Sequence, residues 1–265
     1  MLTLVPTPIG NLEDITLRTL RVLREADLIA CEDTRTSGIL LKHYDINKPL
    51  TSFHLHNENN KCEYLLEKLR NGENIALISD AGTPGVSDPG WILLKLALSE
   101  GLDVDVLPGP SAVLPAVLLS GLTPQPFIFL GFPPDKNGER IKLFESLKDL
   151  EFTMCYYISP HKAEKHITDM IQIFGDRRAA LVREISKVFQ ESIRDNLSGI
   201  LERIKSGVKG ELVLVVEGDS GEIKNDSWQS EALLMKKSGQ SVKDIVNIIS
   251  AKYNVAKNLI KRFVM

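Results

Sequence analysis

The tightest constraint on the fold is the run Ile75-Ala76-Leu77-Ile78, four apolar residues between a turn signal at Asn71-Gly72 and a loop of Ser, Asp, Gly, Thr and Pro. A strand without polar alternation needs cover on both faces, which a parallel sheet flanked by helices provides. The neighbouring segments repeat the rhythm that such a sheet requires. Residues 2–5 are a β-prone run stopped by Pro6, and Leu12, Ile15, Leu20 and Leu23 fall near helical spacing with Asn11 or Asp14 placed to cap. Strands are expected at 27–31, 50–53 and 104–107, and helices at 58–70, 91–99 and 111–120. Strand, helix, strand in this order predicts right-handed βαβ units.

Gly and Pro between 121 and 126 place a domain boundary near residue 120. Beyond it, strands are expected at 127–130, 153–158, 179–183, 188–193 and 212–216, and helices at 139–150, 163–174 and 197–204. The short gap between 179–183 and 188–193 predicts a hairpin, hence a mixed sheet. A polar loop at 218–227 leads into about three short helices, with breaks near Gly239 and Asn254. The expected fold class is α/β, with a mainly parallel sheet in 1–120, a mixed sheet in 121–219 and a helical tail at 220–265.

The net charge is −3, from 32 Lys and Arg against 35 Asp and Glu. Residues 231–265 depart from this average. They carry Lys236, Lys237, Lys243, Lys252, Lys257, Lys261 and Arg262 against Glu231 and Asp244, a net +5 that leaves −8 for the rest. A basic tail on an acidic body is a weak hint of a polyanionic partner; on charge alone a solvated helix face is the better reading. Cys31, Cys62 and Cys155 are odd in number and far apart, the usage of a reducing cytoplasm. Neither a membrane span nor a signal peptide is expected, because no apolar run reaches about 18 residues and no basic segment precedes the apolar start.

Ligands of open α/β sheets collect beyond the carboxyl ends of the strands. The loops there are Pro6-Thr7-Pro8-Ile9-Gly10-Asn11, Glu32-Asp33-Thr34-Arg35-Thr36, residues 79–90 and Pro108-Gly109-Pro110-Ser111-Ala112. Together they describe a cleft lined by backbone. No G-x-G-x-x-G follows the first strand and no P-loop occurs, so dinucleotide and phosphate-nest sites are poorly supported. His54 and His56, or His161 and His166, lack partners at metal-ligand spacing, and no metal site is expected.

The blocks Val5-Pro6-Thr7-Pro8-Ile9-Gly10-Asn11, Glu32-Asp33-Thr34-Arg35, Ser79-Asp80-Ala81-Gly82-Thr83-Pro84, Asp88-Pro89-Gly90, Pro108-Gly109-Pro110-Ser111, Gly131-Phe132-Pro133-Pro134, Arg183-Glu184-Ile185-Ser186-Lys187 and Lys209-Gly210-Glu211 resemble, in order and spacing, one group. That group is the bacterial ribosomal RNA small subunit methyltransferase I, a branch of the tetrapyrrole methylase superfamily. The resemblance implies two α/β domains with S-adenosylmethionine between them. It also implies 2′-O-methylation of a decoding-region cytidine in 16S rRNA or the small ribosomal subunit, and a homodimer. The chain departs from the family pattern at Ile158 and Gln190, where glutamates are common, and in the weakly basic segment around Lys136 and Arg140.

The residues fit this reading. S-adenosylmethionine carries no phosphate and suits a prolyl, glycyl cleft. Pro8, Gly10, Asp80, Gly82 and Pro84 are the expected cofactor loops; Val86, Tyr157 and Val215 are candidate apolar walls; and Ser111 and Ala112 sit at a helix start with room for a ligand. Val215 reads equally well as core. Asp33, Glu184 and, with a pKa lowered by burial, Lys187 are candidate bases. Arg35 and Arg183 either bind RNA phosphate or pair with these acids, and Lys257 and Lys261 are candidate phosphate contacts. The rival readings are a corrin or precorrin methylase and a non-catalytic rRNA-binding assembly factor.

Overall fold

The computed structural model describes residues 1–55, 57–220, 225–253 and 255–265. Residues 1–148 and 152–217 form one compact unit, and residues 149–151 with 218–265 form a second.

In the first unit, β1 (Leu2–Leu4), α1 (Leu17–Glu25), β2 (Leu28–Cys31), α2 (Thr34–His43), β3 (Leu50–Ser52), α3 (Glu58–Arg70), β4 (Ile75–Ile78), α4 (Trp91–Ser99) and β5 (Val104–Val106) follow one another. The strands make a five-stranded parallel sheet in the order β3-β2-β4-β1-β5. The β4 run is covered on both faces as its composition demands. Ile75 and Leu77 pack with Leu65, Leu66, Leu93 and Ala97 from α3 and α4. Ala76 and Ile78 pack with Leu23 and Leu41 from α1 and α2. Burying each large side chain contributes about 1.5–3 kcal/mol.

After α5 (Val113–Ser120) come β6 (Phe127–Phe129), α6 (Asn137–Leu147), β7 (Thr153–Ile158), α7 (Ala163–Phe174), β8 (Arg178–Arg183), β9 (Glu191–Asn196), α8 (Leu197–Ile204) and β10 (Leu212–Val216). The second sheet runs β6-β7-β10-β8-β9, with β6 parallel to β7 and the other pairs antiparallel. Ala116 and Val117 of α5 pack on the face that carries Cys155, Ala180, Val182, Val213 and Val215. On α6, Arg140 is fully buried and holds Asp169 at 2.6 Å, so it is a structural cation.

Three local expectations are corrected. The first helix starts at Leu17 with Thr16 as its cap, and Asn11 caps only a short 3-10 turn at Leu12–Asp14. The polar stretch after β2 is not a loop: Asp33 caps α2, accepting from the Arg35 N–H at 2.8 Å. The hairpin strand sits three residues later than 188–193, because its register is set by the pairs Arg183↔Glu191 and Arg178↔Asn196. Val188 and Phe189 lie in the connecting loop, 94% and 74% exposed.

In the second unit, α9 (Asn225–Lys237), α10 (Val242–Tyr253) and α11 (Lys257–Val264) close around Trp228, Ala232, Ile245, Ile249, Ile260 and Val264. Glu231 accepts from Lys252 at 2.7 Å and from the Tyr253 hydroxyl. Helix α9 already begins inside the polar loop expected at 218–227; residues 221–224, the break expected at Asn254, and His56 lie outside the described residues. No helix among the described residues is long and apolar enough to cross a membrane.

Candidate active site

Two loops at the carboxyl edge of the parallel sheet are zipped together. The Thr7 N–H donates to the Gly82 carbonyl at 2.9 Å, the Gly82 N–H donates back at 3.0 Å, and the Thr7 hydroxyl donates to the Ser79 carbonyl at 3.1 Å. Ile9, with Ala81 and Gly82, faces a large cavity, while Pro8 and Gly10, with Ser79 and Asp80, face a smaller pocket against α2. The zipped loops are thus a ridge between two concave sites. A buried carboxylate anchors the loop beyond it: Glu58, at the start of α3, accepts the Gly90 N–H at 3.0 Å.

The large cavity measures about 670 Å³ and draws on both sheets. The first sheet's loops contribute Ile9, Gly82, Val86, Asp88, Ser111 and Ala112, and the second sheet contributes Phe129, Phe132, Tyr157, Ile185 and Val213. The Tyr157 ring is fixed by Phe129 and Phe132, with centroids 4.8 and 5.4 Å away. Among the described residues no Lys or Arg lines the cavity, whereas Asp88 and Glu211 do. Such a lining fits a ligand of cofactor size that is positively charged, carries no phosphate and has an apolar ring. S-adenosylmethionine has these properties. Ser111, Ala112 and the Gly82 backbone border the space for it, and Tyr157, Val86 and Val213 supply apolar walls.

Asp88 was not among the residues singled out by sequence, although its Asp-Pro-Gly run was visible. Burial pushes its carboxyl up to about 6, with the charges of Glu32 and Asp80 adding to the rise and a Ser79 hydrogen bond opposing it. Asp80 is itself raised, first by burial, although the Asp33 N–H donates to it at 3.2 Å.

The expected residues divide between several places. Gly82, Val86, Ser111, Ala112 and Tyr157 line the large cavity. Pro8, Gly10 and Asp80 line the pocket across the ridge. Pro84 is buried and borders neither. Val215 is fully buried in the core, and Val213, one pleat nearer the strand's start, reaches the cavity instead.

The three candidate bases are engaged in ion pairs. Arg35 grips Asp33 at 2.6 Å, and its hydrogen bonds lower that carboxyl to about 2. Glu184 accepts the Glu211 N–H and the Lys187 ammonium, both at 2.9 Å, and these bonds hold its pKa below the usual range. Burial pulls the Lys187 pKa down, but Glu184 and Glu211 outweigh it and the net shift is upward, against the lowered pKa that a lysine base requires. Arg183 pairs with Glu191 at 2.6 Å. Lys257 and Lys261 are exposed on α11, and Lys257 also donates to Asn247 at 3.1 Å.

Fold and site together define a methyltransferase of the tetrapyrrole methylase type. The family model described as tetrapyrrole (corrin/porphyrin) methylases matches residues 1–201. Solved structures share the fold. A diphthine synthase superposes with a TM-score of 0.61 at 16% identity, over 82% of this chain and 89% of its own. A uroporphyrin-III-C-methyltransferase from Thermus thermophilus gives 0.59 at 18%, over 81% and 93%. Curated proteins named ribosomal RNA small subunit methyltransferase I are closer in sequence. That of Streptococcus pyogenes serotype M3 is 44% identical over 82% of this chain and 76% of its own length. That of Bacillus subtilis is 43% identical over 84% and 76%, and that of Pasteurella multocida 38% over 99% and 96%. The chain belongs to the ribosomal RNA small subunit methyltransferase I family, and its cofactor is S-adenosylmethionine.

Proposed function

We propose that the protein methylates small-subunit ribosomal RNA, at the ribose 2′-hydroxyl of a decoding-region cytidine. The names of its relatives support the RNA substrate, and the resemblance of its motifs supports the ribose of a cytidine. The observation that carries the methyl-transfer chemistry is the cavity shared by both sheets, acidic and free of lysine and arginine among the described residues. S-adenosylmethionine supplies a methyl carbon activated by its positive sulfur. The walls around Tyr157 and Ala112 hold donor and acceptor in line and exclude water. Such positioning supplies up to roughly 7–11 kcal/mol of the barrier.

The hydroxyl must lose a proton as the new bond forms. Asp33, Glu184 and Lys187 are held in ionised pairs and are poor acceptors near neutral pH. Asp88 lies in the cavity with a carboxyl nearer neutrality, and a base works best when its pKa approaches the working pH. Asp88 therefore takes the proton in this reading. Arg35, Arg183, Lys257 and Lys261 contact RNA phosphate, and the active form is a homodimer. The experiment is to incubate the protein with labelled S-adenosylmethionine and small ribosomal subunits lacking this methyl group. Label confined to one cytidine ribose supports the reading; label on a base, or none, refutes it.

A further inference from the structure

Arg140 is fully buried on α6, where its guanidinium meets no water. A buried ion pair is often no more stabilising than apolar side chains of the same volume, so stability alone does not explain this one. A single ammonium would satisfy Asp169. The guanidinium does more, because its planar fork presents several donors in fixed directions. Nε donates to Asp169 Oδ2 at 2.8 Å, and Nη2 donates to Asn137 Oδ1 at 2.7 Å. Nη1 donates to two backbone carbonyls, those of Pro134 and Asp135, each at 3.0 Å. The arginine thus ties α7 to residues 131–135, the segment that runs from β6 toward α6.

That segment carries Phe132. Its near end is held where the Tyr157 N–H donates to the Gly131 carbonyl at 3.0 Å, and Gly131 turns the chain with φ +63°. Its far end is held by Arg140, with Lys162 pairing to Asp135 from outside. Phe132, between the two anchors, lines the large cavity yet is 58% exposed, so it sits at the rim. Its ring centroid stands 5.4 Å from that of Tyr157. An exposed side chain has few neighbours to select its rotamer, so its direction depends on the backbone that carries it. We infer that Arg140 is a positioning residue for methyl-donor binding. By holding the Pro134 and Asp135 carbonyls it sets Phe132 beside Tyr157 at the cavity rim, where the two rings pack on the apolar part of S-adenosylmethionine. A ring already held in its bound direction loses less freedom when the donor arrives. This inference rests on the cavity being the donor's site.

The test is a double-mutant cycle on the full-length protein, with S-adenosylmethionine affinity measured by calorimetry and stability by a thermal melt. Its members are wild type, Phe132→Ala, Arg140→Lys and the double variant. Lysine keeps a cation for Asp169 but cannot span both carbonyls as the fork does. Phe132→Ala should weaken donor binding roughly three- to tenfold, the worth of one aromatic contact. Arg140→Lys should weaken it to a similar extent and lower Tm. In the Phe132→Ala background the same substitution should change affinity by less than about twofold, since coupled residues are not additive, while its Tm loss should persist in full. Lower Tm with wild-type affinity in Arg140→Lys overturns the inference, and so does an equal affinity loss in both backgrounds, the mark of general loosening. Phe132→Ala binding as tightly as wild type also overturns it, and Phe132 is exposed, so that variant folds whatever Arg140→Lys does. Absence of saturable binding to wild type overturns the donor site itself and the inference with it.

Discussion

Lys187 lies across Gly10: a Cβ at Gly10 would stand 2.3 Å from Lys187 Cγ, and no side chain fits there without displacing the lysine. The contact joins the first loop of the parallel sheet to the β8–β9 loop of the mixed sheet, where Glu184 and Ser186 already adopt φ values of +53° and +68°. Gly10→Ala should push Lys187 off and break its 2.9 Å pair with Glu184. A displacement of about 1 Å beside a reacting centre costs up to roughly a hundredfold in rate. The expected result is a fall in kcat together with a lower Tm, read from steady-state methylation and a thermal melt.

Gly82 carries a second prediction. Its φ is +82°, and a Cβ there finds space, with Ile9 Cγ2 at 3.5 Å and the Pro110 carbonyl at 3.8 Å. The cost of Gly82→Ala is therefore conformational, about 1–2 kcal/mol for a left-handed residue. It falls on the bridge to Thr7, and donor affinity measured by calorimetry should drop together with Tm.

Asp88 links pH to both stability and rate. Its folded pKa of about 6 lies above the ordinary 3.8, so the folded state binds more protons across that interval and loses stability as pH rises through it. Asp88→Asn should raise Tm near neutral pH by about 2–4 °C, the shift of ~1 kcal/mol in a domain of this size. The gain should vanish below about pH 4. Methylation should fall at the same time, and a variant of full activity would remove Asp88 from the proton transfer.

His166 has the opposite sign. Burial, with help from Arg140 and Lys162, lowers its pKa from 6.5 to about 4. The unfolded chain binds the extra proton between those values, so stability is complete above about pH 6.5 and declines as pH falls toward 4. His166→Gln should flatten the loss seen by urea unfolding at mildly acidic pH.

Much of the fold is legible in the sequence because the β4 run forces cover on both faces and the helix stops are explicit. Helix α2 is hidden because Thr34, Thr36, Ser37 and Gly38 read as a loop, and only the Asp33 cap marks its start. Val188-Phe189 looks like a strand, but register belongs to the partner β8, which no local pattern reveals. At the site, the loops at the strand ends are visible, whereas the Thr7–Gly82 bridge that divides them into two cavities is a tertiary pairing 75 residues apart in sequence. A separation of 24 residues likewise hides the Lys187–Glu211 pair that ties up a candidate base.

The basic second unit makes its own prediction. Lys257→Glu with Lys261→Glu reverses two exposed charges on α11. Each phosphate that is no longer neutralised takes roughly 0.7–0.9 off the slope of log affinity against log salt. Binding to small subunits should weaken and its salt slope should shrink by roughly 1.5. An unchanged slope would exclude α11 from the RNA interface.

The central claim, that the cavity built from both sheets is the methyl donor's site, is tested most directly by calorimetric titration of S-adenosylmethionine into wild type and Ala112→Trp. Ala112 is half-buried at the cavity wall, where an indole fills space that the donor needs. Saturable one-site binding to wild type, abolished in a variant that keeps its Tm, is the predicted result; equal affinity in the two proteins contradicts it.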